Sequence, residues 1–159
     1  MTARVNHFDT VPALCEAMKN LSIASGKSSL DIGLKNLMDI RASQLNHCAF
    51  CLDMHVKQAK IAGERELRLH HVAVWRESSL FTAKEKAALA LTEALTRISS
   101  EGVTDALYRE VSEHFSPVEM SELGFKIAVI NAWNRLQILS RMAPGALDSA
   151  YGLDKADLG

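Results

Sequence analysis

Residue types that can do chemistry concentrate in one short stretch, Ser43-Gln44-Leu45-Asn46-His47-Cys48-Ala49-Phe50-Cys51-Leu52-Asp53-Met54-His55. Cys48 and Cys51 form a C-x-x-C, and His55 follows four residues after the second cysteine. Where Cys48 opens a helix, Cys51 lies at i+3 and His55 at i+7, so all three project from one face. A helix N-terminus offers unpaired N–H groups and a partial positive charge, which favour thiolate over thiol. Such placement lowers a cysteine pKa from about 8.5 into roughly the 3.5–7.5 range. His55, one turn beyond Cys51, is close enough to exchange a proton with it or with an intervening water. The chemistry this spacing suits is that of redox-active sulfur.

Two other readings of the same residues stay open. A structural zinc site needs four ligands. Cys48, Cys51 and His55 supply three, with His47, His70 or His71 as fourths, but the usual second pair with matched spacing is missing. Alternatively the thiols are inert and His55 is satisfied by a carbonyl at a helix contact. His70 and His71 read as decoration of a helix edge, and Cys15 as a buried, unreactive thiol. Gly26-Lys27-Ser28 fails as a phosphate-binding loop, because the motif's first glycine is absent and no strand precedes it.

The elements that must position these residues read as helices throughout. Pro12 opens a short helix in which Leu14, Met18 and Leu21 share a side. Ser25 to Ser29 is a linker. Apolar residues keep helical spacing from Leu30 to Leu45. Asn46-His47 then interrupts and is expected to cap the next helix, which begins near Cys48 and stops at Gly63. Glu64 to Trp75 forms another helix, and 78–81 a loop. Thr82 and Glu85 have the spacing of a capping box ahead of an Ala/Leu-rich run to Ile98. Gly102 breaks the chain, and Thr104 caps a helix over 105–114. Ser116-Pro117-Val118-Glu119 opens a long helix ending near Met142. Residues 143–159 are expected to be a mobile tail or a subunit-clasping arm. No segment shows period-2 alternation rich in β-branched residues, so the expected fold is all-α, a single domain of six or seven helices.

Composition narrows the function classes. At 159 residues the chain supports one domain with a sizeable core. Lys and Arg number 18 against 19 Asp and Glu, a balance that favours neither nucleic acid nor an acidic membrane as partner. The N-terminus Met1–His7 lacks the apolar core of a signal peptide, and no apolar run approaches the roughly 20 residues of a membrane span. Three cysteines are an odd number for a disulfide framework. The expected location is the cytoplasm.

The run from Arg41 to His55, with its Ser-Gln-Leu-Asn lead into C-x-x-C-x-x-x-H, resembles the core motif of the carboxymuconolactone decarboxylase-like superfamily. Within it the chain is similar to the alkylhydroperoxidase AhpD-like branch. The likeness continues in Trp75-Arg76-Glu77-Ser78, in Phe81-Thr82 with Glu85 to Leu89, and in Ile130-Asn131-Ala132-Trp133-Asn134-Arg135, covering roughly residues 30–142. The resemblance implies an AhpD-like helical domain assembling as trimers or hexamers, with its site near a subunit interface. It also implies thiol-dependent reduction of hydroperoxides without cofactor or metal. By that resemblance Cys51 attacks the peroxide, Cys48 resolves the sulfenic acid, and His55 belongs to a proton relay. The implied partners are a small hydroperoxide and an external dithiol or lipoyl-type reductant. Gln44, Asn36 and Asp39 are candidates for relay or positioning.

There are departures from the family pattern. The relay glutamate expected twelve residues before the first cysteine is Asn36, which can position a water but cannot take its proton. A histidine often found just before the second cysteine is Phe50. Asp39, one turn from Asn36, is the nearest substitute for the missing carboxylate. Two further classes stand beside the peroxidase. One is a lactone-handling decarboxylase, which works by histidine acid–base chemistry and needs no C-x-x-C. The other is a non-enzymatic oligomer that senses oxidants by cycling one disulfide.

Overall fold

The computed structural model describes residues 3–156, so the last three residues of the expected tail lie outside the described residues. In chain order the helices are α1 (His7–Thr10), α2 (Pro12–Gly26), α3 (Ile32–Leu45), α4 (Ala49–Ile61), α5 (Glu66–His71), α6 (Ala83–Thr96), α7 (Asp105–Ser112), α8 (Pro117–Ser140) and α9 (Asp148–Tyr151). Two 3₁₀ turns, Val72–Val74 and Leu153–Ala156, complete the set, and no strand occurs among the described residues. The fold is all-α, as the periodicity requires. The helices beyond the expected six or seven are α1 and α9, single turns of four residues each, too short to leave a periodic signature.

Helix α3 is the centre of the molecule. Asp31 caps it by accepting the Leu34 N–H at 3.1 Å, and between residues 34 and 43 only Arg41 is less than buried. A helix buried on all sides has neighbours on all sides. On one flank Leu34 and Met38 pack with Ala87, Ala88 and Leu91 of α6, Val111 of α7, and Leu123 and Ile127 of α8. On another, Leu37 and Ile40 meet Ala59 of α4, Leu69 of α5, Trp75, Phe81 and Leu89. Both expected capping boxes form, Thr82 with Glu85 at α6 and Ser116 with Glu119 at α8.

The α3–α4 turn departs from expectation in one respect. Asn46 and His47 do not cap α4; they end α3. The His47 N–H donates to the Gln44 carbonyl at 3.2 Å and the Cys48 N–H to the Ser43 carbonyl at 3.0 Å, with His47 left-handed at φ 57°. This is a Schellman ending with histidine in the place where glycine is usual. Cys48 itself is then the N-cap of α4, its sulfur accepting the Cys51 N–H at 3.3 Å.

Over its described length the segment after α8 packs against its own chain rather than trailing free. Residue Arg141 turns left-handed at φ 52° and ends α8, and the chain folds back on α4. Asp53 accepts the Gly145 N–H at 3.0 Å, Lys57 bridges Asp53 and Asp148 at 2.9 and 2.6 Å, and Leu153 and Ala156 are buried. The attachment depends on charges 91 residues apart in sequence, which no local pattern encodes. No helix of the described residues is long and apolar enough to cross a membrane.

The Leu37 side chain is fully buried at the α3 core seam, whereas Leu67 on α5 is 56% exposed. Leu37→Ala is therefore expected to lower unfolding free energy by about 2–5 kcal/mol. Leu67→Ala should stay within about 0.5 kcal/mol of wild type. Urea titration of both variants checks the contrast, and equal midpoints would refute the placement of α3 at the centre.

Candidate active site

The cysteine pair is built on the α3–α4 turn. Cys48 and Cys51 are disulfide-bonded with Cα atoms 5.3 Å apart, and they are 2% and 3% exposed. Around them pack Phe50, Met54, Met142 and Leu147. A three-asparagine cluster fixes the turn from behind. Asn46 Nδ2 donates to Asn131 Oδ1 at 2.9 Å and to Asn134 Oδ1 at 2.8 Å. Asn134 Nδ2 in turn donates to Ser43 Oγ, Asn131 Nδ2 to Thr96 Oγ1, and the Arg135 guanidinium to Asn131 Oδ1. Asn131 is buried and its amide is tied within its own chain.

Beside the pair lies a cavity of about 550 Å³, walled by α2, α3, α4 and α8, with Phe8, Leu147 and Tyr151 at its rim. Its size falls within the range of small-molecule sites. Cys51 and His55 both line it; Cys48 does not. Asn36 and Asp39 face it from α3, Lys126 and Trp133 from α8. Trp133 is held by donating its indole N–H to Ser22 Oγ at 2.7 Å and by stacking on Phe8. Trp75, in contrast, packs in the core and donates to Glu93.

The polar groups on the cavity wall form a chain. His55 Nδ1 lies 2.7 Å from Gln58 Oε1 and 3.6 Å from Asp39 Oδ2, and Asp39 Oδ2 pairs with Lys126 Nζ at 2.6 Å. Two acceptors around Nδ1 assign the proton to that nitrogen, leaving Nε2 as the basic lone pair. Burial lowers the His55 pKa below its ordinary 6.5, with the Lys126 ammonium pushing the same way against Asp39 and Gln58. The imidazole is accordingly neutral near pH 7. Asp39 Oδ1 is buried without a hydrogen-bond partner among the described residues. An unsatisfied buried carboxylate oxygen is costly, and a donor from water or substrate would relieve it.

Of the residues singled out by sequence, Cys51, His55, Asn36 and Asp39 converge on the cavity, with Cys48 directly bonded to Cys51. Gln44 does not join them. Its Oε1 accepts from Arg41 Nη1 at 3.2 Å, and Arg41 pairs with Glu93, which also receives Trp75 and Arg76. Gln44 thus serves a polar hub between α3 and α6. The alternative zinc ligands are dispersed: His71 meets Ser78, His70 lies beside Glu66, and His47 is exposed on the turn. Among the described residues no group of three or more His, Cys, Asp and Glu side chains is arranged to hold a metal ion.

Three residues escaped the sequence reading. Gln58 carried a local signal, being one turn from His55. Lys126 stands alone as a charge within the apolar run from Leu123 to Ile130, and Lys35 likewise sits between Leu34 and Leu37. A lone cation at a core-facing helical position is the signal that could have found both.

Comparison with known proteins agrees with this architecture. The model of the carboxymuconolactone decarboxylase family matches residues 10–94. YdfG of Bacillus subtilis (strain 168), an uncharacterized protein, is 38% identical over 138 residues, covering 87% of this chain and 94% of YdfG. A solved structure from Agrobacterium tumefaciens, ATU0492, is 33% identical with a TM-score of 0.88, covering 91% of this chain and 99% of that one; its description relates it to the antioxidant defence protein AhpD. The debrominase Bmp8 shares the fold at 20% identity and a TM-score of 0.75, covering 92% of this chain and 78% of Bmp8. The match of the family model over more than half of the sequence, joined to these relatives, shows that the chain belongs to the carboxymuconolactone decarboxylase family.

Proposed function

We propose that the protein is a thiol-dependent peroxidase that reduces organic hydroperoxides through Cys51 and Cys48. The observation that carries this reading is the presence of Cys51 and a neutral His55 in the wall of one cavity, with Cys48 bonded behind. The peroxidase-related and AhpD-related descriptions of the solved relatives support it at family level. A bare oxidant sensor has no use for a substrate-sized cavity, and a histidine-based lactone decarboxylase has no use for the paired thiols. Exposed apolar side chains such as Leu14 and Phe125 support a homo-oligomer as part of the same reading.

In the reduced protein His55 Nε2 takes the Cys51 thiol proton, and the thiolate attacks one peroxide oxygen. The O–O bond breaks, Cys51 becomes a sulfenic acid, and the leaving alkoxide takes the proton from His55 to depart as an alcohol. The Cys48 thiol then attacks the Cys51 sulfur, forming the disulfide and releasing water. An external dithiol returns two electrons by exchange and leaves as its own disulfide. Asp39, held by Lys126, orients the imidazole and stabilises its protonated form between the two transfers. It thereby takes over part of the work of the carboxylate absent at Asn36.

Fully reduced protein treated with one equivalent of cumene hydroperoxide is expected to lose two thiols rapidly, and Cys51→Ser to show no such loss. Excess dithiol should sustain repeated turnover; one turnover followed by arrest would leave only the sensor. Asp39→Asn is expected to slow thiol loss by roughly tenfold or more, measured by stopped-flow, and Asn36→Glu to accelerate it. An unchanged rate in Asp39→Asn would remove that residue from the mechanism.

The lowered His55 pKa sets the pH dependence. Base function is lost only on protonation, so it persists below pH 6.5 and fails as pH falls through the depressed folded value. Thiol oxidation should be nearly flat between pH 6.5 and about pH 8. A rise of about tenfold per pH unit across that window is the behaviour of an unassisted thiol with pKa near 8.5, and it would exclude His55 as the base.

A further inference from the structure

The cavity carries more positive charge than the proton relay uses. Lys19, Lys35 and Lys126 line it against one carboxylate, Asp39. Lys126 is paired with that carboxylate at 2.6 Å, and Lys19 pairs on the surface with Glu16 at 3.0 Å. Lys35 has no such partner among the described residues. It is 7% exposed, and among the described residues no carboxylate lies within salt-bridge distance of its ammonium. Among the described residues its ammonium makes one hydrogen bond, to the Gly26 carbonyl at 2.9 Å, at the C-terminal end of α2.

That carbonyl does not balance the lysine. A helix C-terminus supplies about half a negative charge, and one acceptor satisfies one of three ammonium donors. A buried cation is ordinarily paired with an anion, because stripping it of water is otherwise expensive. Asn36, next to it on α3 and 6% exposed, also lines the cavity and makes no hydrogen bond among the described residues. Two polar side chains, each more than nine-tenths buried, thus face the same space with unused donors. Most of the remaining wall is apolar, with Phe50, Met54, Val129, Ile130 and Trp133 inside and Ile23, Ile32 and Tyr151 exposed at the mouth, while Ser22, Gln58 and Gln137 add uncharged polar groups. On α3 the cavity-facing residues follow one helical face, Ile32 at the mouth, then Lys35 and Asn36, then Asp39 beside His55.

We propose that the cavity binds an amphipathic carboxylate, with the carboxylate on Lys35 and Asn36 and the apolar body against Phe50, Met54, Ile130 and Trp133. Resting on the peroxidase reading, this names the substrate class as hydroperoxides of apolar carboxylic acids rather than hydrogen peroxide. The lysine ammonium and the asparagine amide donate to the carboxylate oxygens, while the apolar chain removes the wall from water. Free acids of this kind, rather than lipid assemblies, fit a cavity walled by four helices and opening at one mouth.

Decanoate and its neutral counterpart decanamide test the proposal on the disulfide form of the whole chain by isothermal titration calorimetry. Neither can react with the cysteines, so the result is independent of peroxidase activity. Wild type is expected to bind decanoate at least about tenfold more tightly than decanamide, and Lys35→Met to lose about that factor for decanoate alone. Decanoate should also slow the reaction of reduced protein with cumene hydroperoxide by occupying the same space. Equal affinity for acid and amide in wild type would overturn the proposal without recourse to any variant. Binding of decanoate to wild type no tighter than to Lys35→Met would do the same. Failure of the peroxidase reading alone would look different: decanoate bound selectively, with no thiol loss to any hydroperoxide.

Discussion

Three asparagines and a serine hold the point on which the molecule turns. Asn46 ends α3, and its amide is gripped by Asn131 and Asn134 of α8, which in turn reach Thr96 and Ser43. Each partner in the cluster is itself tied to another, which is what makes a buried polar network favourable rather than costly. The grip fixes a left-handed residue at His47, sets the direction in which α4 departs, and so decides where Cys48 and Cys51 stand. Were the turn loose, the cysteines would keep their spacing in sequence and lose their relation to the cavity.

The proposed division of labour between the two cysteines follows from that turn. Cys48, as N-cap, receives the Cys51 N–H and sits at the positive end of α4, while Cys51 faces the cavity and shares a helix face with His55. Helix electrostatics alone would favour a thiolate on Cys48. Access and the adjacent base favour attack by Cys51. In the proposed mechanism the second pair of effects prevails, because a peroxide approaches from the cavity and general-base assistance contributes about 10²–10⁴ in rate. Helix electrostatics then help Cys48 act as a nucleophile toward the sulfenic acid.

Much of this was legible in the sequence, and the boundary is physical. Capping boxes at Thr82 and Ser116 and the helical spacing of Leu34, Leu37 and Met38 are local, and each is present where the residues place it; of the expected Cys48–Cys51–His55 face, Cys51 and His55 share the cavity wall while Cys48 stands behind as the N-cap. What was not legible depends on pairs far apart along the chain. Asp39 meets Lys126, Asn46 meets Asn134, and Lys57 meets Asp148, each across eighty residues or more. Gln44 shares the sequence context of the cysteine motif, yet its side chain accepts from Arg41 and does not line the cavity. The fate of the segment after Pro144 was likewise decided by a lysine and two aspartates rather than by any helical period.

The cavity is assembled from two kinds of material. Its floor comes from α3, α4 and α8, helices bound into the core, where an altered residue disturbs packing on every side. Its rim comes from Phe8 on α1, Ile23 on α2, and Leu147 and Tyr151 near α9, short or outlying pieces with little core behind them. The two parts therefore tolerate substitution to different degrees. A substitution at the rim changes what can enter while leaving the packing around Cys51 and His55 undisturbed.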